Sequence, residues 1–282
     1  SIILFFTSYS KNKNKNISLL TSLLFILMMS QVWAISEYSE LFCLIFIGFS
    51  FYLIEKKEIR NRTFLICGFL MSMSTLINQG TVIFLIPYII LLIKEKNYRS
   101  QKIKLFLFGF LIPHIIFLYL YIQNDLFNIY FATYISIPLG YSGASYATFY
   151  ELKVFIRKFF EYNVFLYLSF LLIIILSFIN TANKRKEGFL NIISNGVYLN
   201  LACCLLFYFI GSHNYYHHLI FLLYFVSILY SGFEIQLQKT FIGILIIFSS
   251  IGIISKTYEN SFNNLSSIQE TYNNYPLRTL AY

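Results

Sequence analysis

Charge is scarce in this chain. Asp, Glu, Lys and Arg make up 12% of its 282 residues, against 58% hydrophobic. A soluble domain of this length could not cover so much apolar side chain with so little charge, and the mean hydropathy of +0.67 points the same way. Hydrocarbon is the natural solvent for such a surface. There the backbone must satisfy its own hydrogen bonds, which leaves helices or a closed barrel. The apolar–polar alternation of barrel strands is missing too: FLIPYIILLI (84–93) and FLLIIILSFI (170–179) are apolar on every face.

Reactive motifs are equally few. The four cysteines, Cys43, Cys67, Cys203 and Cys204, all lie inside apolar runs; they read as small buried hydrophobes, not as a disulfide framework or a metal cluster. The chain has no nucleophile elbow, phosphate-cradling glycine loop, CxxC pair or HExxH, which weighs against ATP-driven chemistry. No internal repeat and no second domain is visible. The opening SIILFFTSY lacks a basic n-region and is too short for a crossing of about 20 residues. It reads as the inner end of a helix that begins upstream, with the chain a fragment of a longer protein.

Positive charge is present, and its placement is informative. Of the 21 Lys and Arg, all but Lys153, Arg157, Lys158, Lys256 and Arg278 fall in the loops 11–16, 55–62, 94–104, 183–187 and 234–239. Basic residues are retained on the cytoplasmic side, so these five loops are expected inside. The net charge of +9 then reflects orientation and anionic headgroups, with no basic surface for nucleic acid. The spans expected are 17–35, 41–54, 63–77, 80–93, 104–122, 163–181, 189–210, 216–233 and 240–254. The fold class is therefore all-α, a polytopic transmembrane bundle of about nine spans plus a partial first one. Residues 1–254 form the membrane domain and 255–282 a polar outer tail. The outer loop 123–162 carries an amphipathic helix over 146–161, with Phe149, Leu152, Phe155, Ile156, Phe159 and Phe160 on one face, a pattern suited to the membrane interface.

This topology places several polar groups outside. Glu37 and Glu40 follow the span that ends QVWAI; a carboxylate near the hydrocarbon boundary is either hydrated or kept for a purpose. Asn78 and Gln79 interrupt a hairpin and either cap a turn or face a ligand. GSHNYYHH (211–218) sets His213, His217 and His218 at a turn. It reads as an interfacial belt of Tyr and His, with a zinc site formed with Glu40 as the sharper alternative. His114 beside Pro113 reads as a hydrogen-bonded histidine next to a kink.

These segments agree in order with one family. YSELFCLIFIGFSFYLI (38–54), a basic loop and FLICGFLMSMSTLINQGTVIFLIPYIILLI (64–93) resemble the membrane half of GT-C glycosyltransferases. The closest types are the bacterial relatives of protein O-mannosyltransferases and the aminoarabinose transferase. Glu40 matches the family's helix-opening Glu, Gly68 its helix glycine and Gln79 its turn Gln, while Asn78 stands where a basic residue is common. QNDLFNIYFATYISIPLGYSG (123–143) resembles the loop into the outer domain, and NYYHHLIFLLYF (214–225) the aromatic-His start of a late helix.

The resemblance implies sugar transfer from a polyprenyl-phosphate donor to an acceptor outside the cytoplasmic membrane. It implies substrate contacts at Glu37, Glu40, Asn78, Gln79, Tyr141, Tyr216 and His217, with the leading catalytic acid upstream of Ser1. A carboxylate would deprotonate the acceptor while cationic or hydrogen-bonding groups, with a divalent cation compatible, steady the departing phosphate. An O-antigen polymerase or ligase would need paired arginines in its outer loop, where 123–162 has only Arg157. A flippase or transporter should show inverted repeats and charged midplane helices, and a structural membrane subunit would need none of these groups.

Overall fold

The computed structural model describes residues 1–29, 39–55, 60–94, 99–136, 171–179, 196–210, 220–233 and 243. The architecture is all-helical, with no strand among the described residues. The helices are α1 (Ile2–Asn12), α2 (Lys15–Met29), α3 (Ser39–Ile54), α4 (Asn61–Ile77), α5 (Leu85–Lys94), α6 (Arg99–Gln123), α7 (Phe127–Phe131), α8 (171–179), α9 (Gly196–Ile210) and α10 (Ile220–Tyr230).

The Asn-rich string at 12–16 makes the first turn. Lys13 takes the left-handed conformation at φ 56° and closes α1 by donating its N–H to Tyr9. The Asn14 carboxamide oxygen then accepts the N–H groups of Asn16 and Ile17, a side-chain cap for α2. The result is a helical hairpin, with α1 packed on α2.

At the centre lies α10, all eleven of whose residues are buried. Phe225 stacks on Phe84, Phe221 meets Phe84 at a tilt, and Phe225 meets Phe51 edge to face. The Tyr224 hydroxyl donates to the Gly48 carbonyl at 3.3 Å, and all four cysteines are buried free thiols. Several small hydroxyls in this apolar interior are satisfied locally. Thr7, Ser18, Thr21 and Ser227 each bond the carbonyl four residues back, whereas the buried hydroxyls of Ser50 and Ser72 make no such bond.

The boundaries differ from the sequence expectation in three places. Residues 80–93 are not one α-helix: Gln79–Phe84 is a 3-10 turn, and α-geometry begins at Leu85. Pro87, in the first turn of α5, has no N–H to give the carbonyl four residues upstream, so an α-helix cannot extend back through it. The loop 94–104 is shorter than expected, because α6 starts at Arg99 and takes in Lys102 and Lys104. Lys102 is 9% exposed and holds its ammonium 5.4 Å from the centre of the Phe64 ring, a cation over an aromatic face with its stem along apolar surface. The stretch after α6 is helical at its start, with α7 followed by a π-helical turn at Ala132–Ser136. The interfacial helix expected over 146–161 and the tail 255–282 lie outside the described residues.

By length and composition, α6 is the one helix among the described residues able to cross a membrane. Apolar helices of 10–17 residues account for 15–26, 39–54, 61–77, 79–93, 196–207 and 220–230. Polar contacts sort the helix ends into two groups. At one end Lys11 pairs with Glu55 at 2.9 Å, Asn61 donates to Gln101 and Asn12 donates to the Ser231 carbonyl. Beside them a cavity of about 330 Å³ is bounded by Lys11, Asn12, Ser177, Tyr198 and Ser231. Three of the basic loops, and residues flanking the other two, thus meet at one end.

Candidate functional site at the Glu40–Asn78 end

The opposite ends of α3 and α4 meet at a polar cluster. Ser39 and Glu40 open α3, so the carboxylate sits in the helix's first turn, where the unpaired N–H groups and the macrodipole favour negative charge. Glu40 is nonetheless only 3% exposed. Its Oε1 accepts from the Asn78 amide at 2.9 Å and its Oε2 from the Ser39 hydroxyl at 3.3 Å. A buried carboxylate is tolerable only with such donors.

Asn78 ends α4 in an extended conformation, φ −142° and ψ 110°, and bonds in several directions from there. Its side-chain oxygen accepts the Gly80 N–H at 3.0 Å, and its carbonyl accepts both the N–H and the hydroxyl of Thr81. Its own N–H returns to the Ser74 carbonyl, which also receives the Cys43 thiol. The Ser74 hydroxyl reaches Thr81 at 3.0 Å. The turn is therefore fixed by the network, and its orientation of the Asn78 amide toward Glu40 is built in before any ligand arrives.

Two further contacts frame this end. Gly80 lies against Phe207, leaving no room for a β-carbon, which would come within 2.7 Å of the ring. Tyr134 donates its hydroxyl to the Leu76 carbonyl at 3.3 Å. Burial, with Tyr121 and Tyr130 alongside, holds the Tyr134 phenol above its ordinary range, so it stays a protonated donor. Deeper in, Thr75 gives its hydroxyl proton to the Ser72 carbonyl and so accepts from His114 Nε2 at 3.0 Å. That assigns the Nε2–H form to His114, a hydrogen-bonded histidine after Pro113.

The residues singled out from sequence divide cleanly. Glu40 and Asn78 are brought together. Gln79 adjoins them half-buried at the start of the 3-10 turn, outside the hydrogen-bonded network. Glu37, Tyr141, Tyr216 and His217 lie outside the described residues. Ser39, Ser74 and Thr81 belong to the network although the sequence reading passed over them. The spacing of Asn78 and Thr81, three apart at a helix junction, is a capping signature that could have pointed to one of them.

Among the described residues Glu40 is the one carboxylate of this cluster, and both of its oxygens already accept protein donors. No group of three or more His, Cys, Asp or Glu able to hold a metal occurs among the described residues. The arrangement suits hydrogen bonding to a hydroxyl, with Glu40 as acceptor and the Asn78–Gly80 turn as its more exposed edge. Comparison with protein-family models, with curated proteins and with solved structures finds no match to this chain.

Proposed function

We propose that the chain is a multi-pass protein of the cytoplasmic membrane and part of a GT-C type glycosyltransferase. In this reading it moves a sugar from a polyprenyl-phosphate carrier to an extracytoplasmic acceptor. The observation that carries it is the buried Glu40 carboxylate held by Asn78 at the end of the bundle away from the basic residues. A carboxylate is costly near hydrocarbon and is retained there chiefly for function. The gathering of Lys11, Lys13 and the start of α6 at the other end supports an inward orientation for that end, which turns Glu40 outward. The other apolar helices, at 10–17 residues, are shorter than a crossing of about 20; in this reading of about nine spans their hairpins end below the surface and line a cavity.

In that cavity Glu40 would accept a hydrogen bond from a sugar or acceptor hydroxyl. Asn78 would position it, and the neighbouring Gln79 side chain, outside that network, would donate to the carrier phosphate. No step is assigned to a metal.

Membranes containing the protein, supplied with radiolabelled polyprenyl-phosphate hexoses, should pass label to lipid, glycan or protein. Retention of label on the carrier across the hexose panel would reject the transferase. Orientation has its own test. Single cysteines placed by Lys13→Cys and Asn124→Cys, in a background without the four native thiols, should react with impermeant reagents from opposite sides. We expect Asn124→Cys to react from outside, and reaction of both from one side would overturn the topology.

A further inference from the structure

The segment that follows α6 carries an apolar surface that its described neighbours leave exposed. Leu126, Phe127, Ile129, Phe131 and Ile135 are 39–53% exposed, and residues 126–136 contain no charged side chain. The chain reaches them through a tight reversal. Asp125 takes φ 57°, and the Leu126 N–H returns to the Tyr121 carbonyl at 2.8 Å. The reversal is then locked by rings: Tyr130 lies 5.5 Å from Tyr121, Tyr134 lies 4.9 Å from Tyr130, and Tyr134 bonds to α4. Ile115, Ile116, Leu120 and Ile122 of α6 are exposed as well, separated in the chain from this segment by Gln123, Asn124 and Asp125.

What covers this face follows from the geometry of α6. Its first turns carry Arg99, Lys102 and Lys104, and its last carries Tyr121. From Lys102 to Tyr121 the rise is about 28 Å at about 1.5 Å per residue, close to the roughly 30 Å thickness of a bilayer's hydrocarbon core. Cations at one boundary and a tyrosine cluster at the other are the two usual interface anchors. We propose that Leu126–Ser136 lies in the outer headgroup layer, with its exposed apolar residues dipped to the acyl boundary and the three tyrosines marking that boundary. The occupant of this face is lipid. The segment then anchors the turn bearing Asn78, through Tyr134 and the Leu76 carbonyl, at a fixed depth in the membrane.

The inference rests on the membrane reading above, and the experiment separates the two. The chain has one tryptophan, Trp33, so a Trp33→Phe background allows single reporters. Leu111→Trp at mid-α6, Phe131→Trp and, as a second position, Phe127→Trp are reconstituted in bilayers with lipids brominated at defined depths. We expect Leu111→Trp to lose most emission to deep bromines, and the other two to lose most to bromines nearest the headgroup. Water-like emission without quenching at both 131 and 127, with Leu111→Trp still quenched, would overturn the interfacial placement. Blue-shifted emission without quenching at those positions would also overturn it, because a protein partner would then cover the face. Loss of quenching at Leu111→Trp would instead remove the membrane reading itself.

Discussion

Gly68→Leu is expected to leave no recoverable folded protein, and Gly109→Leu the same. At the crossing of α4 and α6 the two helices touch backbone to backbone. A β-carbon on Gly68 would lie 2.0 Å from the Phe106 carbonyl oxygen, and one on Gly109 would lie 2.1 Å from that of Leu65. Main-chain atoms cannot rotate away, so the helices would have to separate by about 1 Å or more along a closely packed interface. Glycine permits this approach in apolar bundles, where packing and weak Cα–H···O contacts replace the hydrophobic drive.

Alanine is the graded version of this test. Overpacking costs roughly 1–3 kcal/mol, and here the upper end applies, offset by about 1 kcal/mol of helix propensity. Gly68→Ala should therefore destabilise by about 2 kcal/mol, read as thermal unfolding in detergent. Both glycines serve one crossing, so the double alanine variant should lose less than the sum. Gly196→Ala is the control, since its nearest contact at 3.5 Å is ordinary; it should be neutral or slightly stabilising. An unchanged melting temperature in Gly68→Leu would show that the crossing is not as close as described.

Glu40→Gln should lower transfer from a polyprenyl-phosphate sugar by about ten- to a thousandfold while leaving folding intact or improved. Glutamine keeps the oxygen that accepts from Asn78 and is nearly the same shape, so the 2.9 Å bond survives. What it loses is the charge, whose burial opposes folding, and the second oxygen, so that the Ser39 hydroxyl must turn to accept from the new amide. A carboxylate kept for catalysis predicts opposite signs for stability and activity. One kept only to hold Asn78 predicts no change in transfer for Glu40→Gln, and losses in both properties for Glu40→Ala. Full transfer in Glu40→Gln would end its assignment to the site. A lower melting temperature with full transfer would make it a purely structural residue.

Much of this molecule is legible from sequence because the signals are local. The near absence of charge required a helical bundle. The Asn-Lys string made a turn, apolar runs marked α3 and α4 to within a few residues, α9 and α10 fall inside the runs drawn for them, and cysteines inside those runs were buried thiols. Pro87 and the start of α6 at Arg99 were misjudged at the boundaries, where one missing N–H or one snorkelling lysine outweighs periodicity. The sequence could also nominate Glu40 and Asn78, since polar groups amid apolar runs are visible one at a time. It could not pair them. That Asn78 and not Gln79 holds the carboxylate, that His114 finds Thr75, that Tyr134 reaches Leu76 and that Gly68 and Gly109 face each other's backbones depends on how helices distant in sequence rotate and cross. An interior apolar on nearly every face has no periodicity to set that rotation. The fit of side chains and the bonding of a few buried polar atoms set it, and those exist only once the helices have come together.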